Sequence, residues 1–250
     1  MADPATFPVA LPIDRPSMAR PTVQAPPLTP GKVAIWLFLA TEVMFFTGLI
    51  GTYIVLRAGS PGAAYSNLYP PATDLSRILR AKPADLRISN WPRPYDPATN
   101  PLSIDLTAIN TFILICSSVT MVLALSAFQR DERRKGAWYV TATAAIGSVF
   151  LGIQVFEYNQ LMFAHHYPVG VSATGHFTPD ASLFASCFFT MTGFHGAHVA
   201  GGVIAMTILA IKSWAGAFSA TNSSAVEIVG LYWHFVDLVW ILLFTVVYLI

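Results

Sequence analysis

Five long apolar stretches divide the chain. They cover residues 33–56, 106–128, 137–164, 181–211 and 225–250. The hydrocarbon core of a bilayer is about 30 Å thick, so a helix of about 20 apolar residues crosses it. Backbone polar groups in lipid must be satisfied within the segment, so each stretch should be helical. The pattern predicts an all-α fold, a polytopic membrane helix bundle with five transmembrane helices.

Several acids have a local explanation at the start of a predicted helix. Asp105 stands at the beginning of the second span, and Thr178–Asp180 offers a cap, a first-turn proline and an acid before the fourth. Ser224 and Glu227 have the spacing of a capping box before the fifth. We therefore assign no chemistry to these residues.

Composition supports a membrane protein. The chain is 54% hydrophobic and 11% charged, whereas soluble domains carry about 25% charged residues. A formal charge of +1 gives no basic field for nucleic acid. Residues 1–30 contain eight prolines, which exclude regular structure there. We divide the chain into a Pro-rich cytoplasmic tail, 1–30, and a transmembrane domain, 31–250.

The distribution of Lys and Arg predicts the orientation. With the N-terminus inside, the inner segments carry eight basic residues: Arg15, Arg20, Lys32, Arg130, Arg133, Arg134, Lys135 and Lys212. The loop 57–105 carries six and is the counter-argument, but long loops translocate with less regard for charge. We expect a cytoplasmic N-terminus and a C-terminus on the opposite side.

Glu42 is the single charged residue in the first span. It lies nine residues beyond Val33, which is about 13–14 Å at helical rise. An ionisable group at that depth costs several kcal/mol unless it is paired or hydrated. The sequence leaves three possibilities open: a neutral carboxyl, a carboxylate facing a polar crevice, and a carboxyl hydrogen-bonded across helices.

His195 and His198 are one turn apart on one face of the fourth predicted helix. Two such histidines could ligate a metal, but a site needs further ligands, and Cys187 lies about two turns away. Neighbouring glycines such as Gly193 and Gly196 favour close helix packing instead. We predict interhelical or lipid hydrogen bonds for the two histidines and no metal.

The last two candidates are also histidine or carboxylate residues within spans. His234 and Asp237 are one turn apart in the fifth span, and this pair could bind a heme, relay protons or lock the bundle. Glu157 lies near the outer end of the third span, where a carboxylate is less costly, and an interhelical pairing with a histidine is one possibility.

Three segments, in order and at similar spacing, resemble subunit III of the heme-copper cytochrome c oxidases. They are the glutamate-bearing Thr41–Gly48, the glycine–phenylalanine–histidine segment Gly193–Val199, and Tyr232–Trp240. Asn110–Thr111 and Glu157–Tyr158 fit weaker patterns of the same family. The resemblance runs from about residue 31 to residue 250.

The resemblance implies an accessory, non-redox subunit of a proton-pumping respiratory oxidase in a bacterial plasma (inner) membrane, which makes the predicted outer side periplasmic. It implies that heme and copper belong to the partner subunits I and II, and that this chain binds phospholipid and neither cofactor. It further implies support of proton uptake and of stability during turnover, with possible membership of a respiratory supercomplex. Glu42 matches the family's carbodiimide-reactive glutamate.

Other functions stay open at this point. Many relatives have seven spans where this chain has five, so the lipid cleft is either open or closed by a partner helix. Five-span members include subunits of quinol oxidases and nitric-oxide-reductase-associated homologues, so the electron donor is unassigned, with cytochrome c placed first. A self-standing proton channel or transporter, or a heme-binding cytochrome using the histidines, would be of another class. The absence of an internal repeat argues against a transporter.

Overall fold

A computed structural model describes residues 29–58, 102–164, 176–180 and 183–250. Within these residues it contains five helices: α1, Pro30–Ala58; α2, Ile104–Gln129; α3, Arg133–Asn159; α4, Leu183–Trp214; and α5, Ser224–Phe244. Helices α3 and α5 continue into π-helical turns, Gln160–Ala164 and Thr245–Leu249. All five are long and apolar enough to cross a membrane, which confirms the predicted spans and the all-α fold. Most of the predicted tail and of the loop 57–105 lies outside the described residues.

Trp233 of α5 lies at the centre of the bundle and is fully buried. Its indole Nε1 donates a hydrogen bond of 2.9 Å to Ser117 Oγ on α2. The ring lies against Gly147 of α3 and Gly202 of α4, where an added Cβ would come within 2.7 Å of it. One side chain therefore contacts three other helices, and two glycines make room for it.

Helix α1 lies on the outside of the bundle. Its buried residues are Leu39, Phe46 and Tyr53, which recur every seven positions and form one narrow stripe. A seven-residue period keeps a helix in contact with its neighbour along a single seam. Most other side chains of α1 face outward, with Met44 77% exposed and Val55 69% exposed.

Polar contacts attach α1 to α5 near both of its ends. Lys32 Nζ lies 2.9 Å from Glu227 Oε1. At the other end, the Arg57 guanidinium donates to the backbone oxygen of Ile250. The C-terminal residue thus lies beside the end of the first helix.

The structure corrects two of the predicted helix starts. The N-cap of α5 is Ser223, without a side-chain cap hydrogen bond, and Glu227 pairs with Lys32 instead of closing a capping box. Pro179 and Asp180 lie in a turn and are not helical, so they do not form the first turn of α4, whose described part begins at Leu183. Asp105 does lie in the first turn of α2, as predicted.

A tight turn joins α2 to α3. Asp131 adopts a positive φ of 58° there, a left-handed conformation that Asp tolerates better than most residues. Its carboxylate accepts from Arg133 Nε at 3.1 Å and from the Ala220 amide in the α4–α5 connection. The Arg133 hydrogen bond is the main reason that the pKa of Asp131 is lowered. The two connections therefore lie at the same end of the bundle.

Candidate functional site

Glu42 and His198 form a polar pair between α1 and α4. His198 Nε2 lies 3.0 Å from Glu42 Oε2, and the two side chains are 19% and 17% exposed. Glu42 is the thirteenth of the 29 residues of α1, so the pair lies near mid-span. Of the three possibilities that the sequence left open, the geometry matches a carboxyl hydrogen-bonded across helices.

The second ring nitrogen of His198 limits how the pair can hold protons. Nδ1 lies 2.7 Å from the backbone oxygen of Phe194, and a carbonyl oxygen only accepts, so Nδ1 carries a hydrogen. Nε2 then either accepts from a neutral Glu42 carboxyl or, in the imidazolium, donates to the carboxylate. Moving the proton between them interconverts two states of the same total charge.

Aromatic side chains surround this pair. The Phe46 ring lies 5.1 Å from the His198 ring, and Phe45 lies at 6.4 Å. The Tyr232 hydroxyl of α5 donates to the His198 backbone oxygen at 2.9 Å. The pair is thus held in an apolar setting by three helices, where a hydrogen bond has little competition from water.

His195, one turn before His198, has different neighbours. It is fully buried and stacks on Trp240 of α5, with ring centroids 4.9 Å apart and an interplanar angle of 26°. The Phe150 and Phe46 rings lie at its sides, and neither ring nitrogen has a hydrogen-bond partner among the described residues. The two histidines share a helix but serve separate contacts, His198 toward α1 and His195 toward the core.

Glu157 lies inside the bundle, only 6% exposed, and not in a less costly surface position. Its Oε1 accepts from Thr107 Oγ1 at 3.1 Å and from the Tyr248 hydroxyl at 3.5 Å. The partners are therefore hydroxyl groups on α2 and on the end of α5. The histidine pairing that the sequence offered as possible for Glu157 is found at Glu42 instead.

His234 and Asp237 lie on the side of the bundle formed by α2 and α5. The structure directs His234 Nδ1 to Ser118 Oγ of α2 rather than to Asp237. Asp237 is 6% exposed, and its Oδ1 is buried without a hydrogen-bond partner among the described residues. All three side chains line one groove.

Metal-ligating side chains do not converge in the part of the chain that the structure describes. There, no group of three or more His, Cys, Asp or Glu residues is close enough to hold a metal ion. Cys187 in particular does not complete a site with His195 and His198. Several of the described polar residues instead form contacts across helices, namely Glu42 with His198, Glu157 with Thr107, and His234 with Ser118.

The profile of the family described as Cytochrome c oxidase subunit III matches residues 88–250, well over half of the chain. The chain belongs to the cytochrome c oxidase subunit III family. This confirms the resemblance drawn from the three motifs, and membership makes the chain a subunit III of a heme-copper oxidase.

Individual relatives of this subunit III come from several bacteria. A cytochrome c oxidase subunit 3 from Alkalihalophilus pseudofirmus is 31% identical over 87% of this chain and 85% of its own length. A probable cytochrome c oxidase subunit 3 from Mycobacterium bovis is 34% identical over 88% and 87%. A cytochrome bo(3) ubiquinol oxidase subunit 3 from Pseudomonas aeruginosa is 29% identical over 86% and 82%.

Sequence reasoning missed the hydroxyl partners in this subunit III. Thr107 and Tyr248 hold Glu157, Ser118 holds His234, and Ser117 accepts from Trp233. Such residues carry no motif, but hydroxyl groups facing the interior of a membrane bundle commonly bond across helices. A search for Ser and Thr at the depth of each buried carboxyl or imidazole would have found candidates.

Proposed function

We propose that this chain is the accessory, non-redox subunit of a respiratory cytochrome c oxidase, where it supports proton uptake, binds phospholipid and stabilises the complex. The observation that carries the proposal is the Glu42–His198 pair at mid-span. The pair can hold a proton on either partner in an apolar setting, which suits a site that exchanges protons without redox chemistry. An isolated carboxylate at this depth would be costly, and the histidine offsets that cost.

The proposed partners are subunits I and II, which carry the hemes and copper, together with phospholipids. The outward face of α1 supports this assignment, since its large apolar side chains are exposed along most of its length. In a membrane, lipid chains or a partner helix would cover that face. Membership of a respiratory supercomplex would use further surface and is part of the same proposal.

Cytochrome c is the proposed electron donor of the complex. Two of the three relatives described above are named as cytochrome c oxidase subunits, and the third is named as a ubiquinol oxidase subunit. The described residues of this chain include no redox ligand set that would bias the choice. Oxygen consumption by the purified complex with reduced cytochrome c or with a quinol would decide it.

The experiment that tests the proposal compares the tagged oxidase with and without this subunit. We expect the complex that lacks it to retain its heme spectrum and to begin reducing oxygen at a near-normal rate, but to lose activity sooner during continuous turnover. Glu42→Gln, which keeps the side-chain shape, should preserve assembly and the heme spectrum. If Glu42→Gln eliminates oxygen reduction while the hemes and copper remain in place, the accessory role is wrong.

A further inference from the structure

A groove runs between α2 and α5 on the outer surface of the bundle. Its volume is about 470 Å³, and it is lined by Ile115, Ser118, Val119, Val122, His234, Asp237 and Ile241. On each helix the lining spans eight residues, from Ile115 to Val122 and from His234 to Ile241, which is about 10 Å or two turns. The groove is therefore long enough to receive two turns of another helix.

The floor of the groove is polar although its rim is aliphatic. Asp237 is nine-tenths buried, and its Oδ1 has no hydrogen-bond partner in the part of the chain that the structure describes. Ser118 Oγ contacts His234 Nδ1 and is also a hydrogen-bond neighbour of the Asp237 carboxyl, so it is Oδ1 of that carboxyl that lacks a described donor. The rim residues Val119 and Val122 are 57% and 54% exposed. Asp237 Oδ1 is therefore an acceptor without a described donor, at the floor of a groove whose rim is otherwise suited to lipid.

The depth of Asp237 in the membrane limits which kinds of molecule could occupy the groove. It is the fourteenth residue of the 26-residue span Ser224–Leu249, so it lies near the bilayer midplane. A lipid headgroup at the membrane surface is about 15 Å away. Acyl chains reach this depth but carry no hydrogen-bond donor, and an unsatisfied carboxyl in lipid is costly. The remaining occupant is a membrane-spanning helix with a polar side chain.

We propose that this groove docks a transmembrane helix of another oxidase subunit, which presents a hydrogen-bond donor to Asp237 at mid-span. The inference rests on the proposed function, because it assumes assembly with other oxidase subunits. A ridge of side chains on a third helix can pack into the groove between α2 and α5, as ridges pack into grooves in helix bundles. The aliphatic rim supplies the packing, and Asp237 and His234 fix the register and the partner.

A photocrosslinker tests the contact directly in the complete oxidase. Val122 is replaced by p-benzoylphenylalanine at the end of the groove, and the matched control carries it at Ile204 of α4, which is 62% exposed. We expect irradiated membranes to give a crosslink from position 122 to another oxidase subunit and a much weaker one from position 204. A crosslink to lipid alone, or to a second copy of this chain, would overturn the inference.

A second measurement tests the polar contact. The immobilised complex is washed with detergent, and the amount of this chain that stays bound is measured relative to subunit I. Interhelical hydrogen bonds in membranes correspond to about a three- to tenfold change in association, so we expect Asp237→Leu to lower retention by about that factor. Asp237→Asn keeps an acceptor oxygen and should retain most of the subunit. Equal retention of both variants would contradict the assigned contact.

The controls separate this inference from the proposed function. If the unmodified chain does not copurify with the tagged subunit I, the proposed function itself fails. If it copurifies but position 122 crosslinks only to lipid, the subunit docks through another face and only the groove inference fails. Membrane abundance of Asp237→Leu, measured in the same preparations, shows whether low retention reflects lost contact or lost protein.

Discussion

Two carboxyl groups within the spans have contrasting surroundings. The Glu42 side chain is 17% exposed at the side of α1 and faces His198, whereas Glu157 lies among α2, α3 and the end of α5 with two hydroxyl partners. An apolar reagent dissolved in the bilayer can approach the first but must enter the bundle to reach the second. The two carboxyl groups therefore differ in how easily a reagent in the bilayer can reach them as well as in their hydrogen-bond partners.

We therefore predict that dicyclohexylcarbodiimide labels this subunit at Glu42 in the assembled oxidase and leaves Glu157 unmodified. Carbodiimides react with protonated carboxyl groups, and the pair can place its proton on Glu42 next to lipid. Peptide mass spectrometry after labelling locates the adduct. Glu42→Gln should abolish labelling, while Glu157→Gln should leave it unchanged. Labelling that persists in Glu42→Gln would contradict the assignment.

At the scale of single residues, the sequence predicted which side chains need explaining but not their partners. Glu42, Glu157 and His198 stand out because ionisable groups are rare in apolar spans. Their pairing depends on how the helices are rotated about their axes. That rotation cannot be predicted here, because exposed side chains such as Met44 and Phe163 are as apolar as buried ones. Lipid removes the inside–outside contrast that orients helices in water.

At the scale of helices, close packing around Trp233 sets the spacing of α3, α4 and α5. Gly147 and Gly202 both lie against its six-membered ring, Gly147 at Cη2 and Gly202 at Cε3, and an added Cβ at either glycine would lie 2.7 Å from the ring. The indole is rigid and fully buried, so it cannot turn aside to relieve such a clash. Overpacked sites of this kind typically cost about 1–3 kcal/mol.

We predict that Gly147→Ala lowers the thermal unfolding midpoint of the detergent-solubilised subunit, by a destabilisation of about 1–3 kcal/mol. The matched control is Gly152→Ala on the same helix, where an added Cβ meets nothing within 4 Å. Because Ala favours helix over Gly, that control should be neutral or slightly stabilising. If both variants lowered the unfolding midpoint by a similar amount, the lack of space beside Trp233 would not be the reason that Gly147 is needed.

The elements themselves were well predicted, and their ends less so. The five spans follow from length and apolarity alone, and each lies within a few residues of its predicted range. Helix α3 begins earlier than expected, because Arg133–Lys135 are helical although they are charged. The capping box at Ser224 was wrong because the N-cap is Ser223, one residue earlier, and because Lys32, distant in sequence, pairs with the Glu227 carboxylate. Local signals cannot anticipate a partner supplied by another helix.

At the scale of the whole molecule, no three His, Cys, Asp or Glu side chains among the described residues come together as a metal ligand set. His198 is committed to Glu42, and His234 to Ser118. His195 is enclosed by aromatic rings on α1, α3 and α5. An axial heme ligand needs a ring nitrogen with an open coordination position. Both nitrogens of His198 are engaged and aromatic rings enclose His195, so His234, which is engaged only through Nδ1, is the histidine that a heme test has to examine.

We predict that the subunit purified alone binds neither heme nor copper. Its visible spectrum should lack a Soret band, and metal analysis should give no stoichiometric copper. The intact oxidase serves as the positive control in the same detergent. A Soret band in the single subunit that disappears in His234→Ala would show that this chain binds heme through that histidine.

The two ends of the bundle differ in charge. Lys32, the α2–α3 turn and the α4–α5 connection lie at one end, as the Lys32–Glu227 and Asp131–Ala220 contacts show. Among the described residues that end carries six basic residues: Lys32, Arg130, Arg133, Arg134, Lys135 and Lys212. Within the same residues, the opposite end carries Arg57 beside the C-terminal Ile250. The positive-inside rule predicts that the basic end is cytoplasmic.

We therefore predict a cytoplasmic N-terminus and a periplasmic C-terminus. Alkaline phosphatase, which is active only after export, should give activity when fused after Ile250 and none when fused after Lys135 in the α2–α3 connection. Fluorescent protein fusions, which report the cytoplasmic side, should give the reciprocal result. The loop 57–105, with its six basic residues, is the one segment that opposes this orientation, and its length is what allows it to be exported. Phosphatase activity after Lys135 and none after Ile250 would mean that the charge of this loop dominates, and that the basic end of the bundle faces the periplasm.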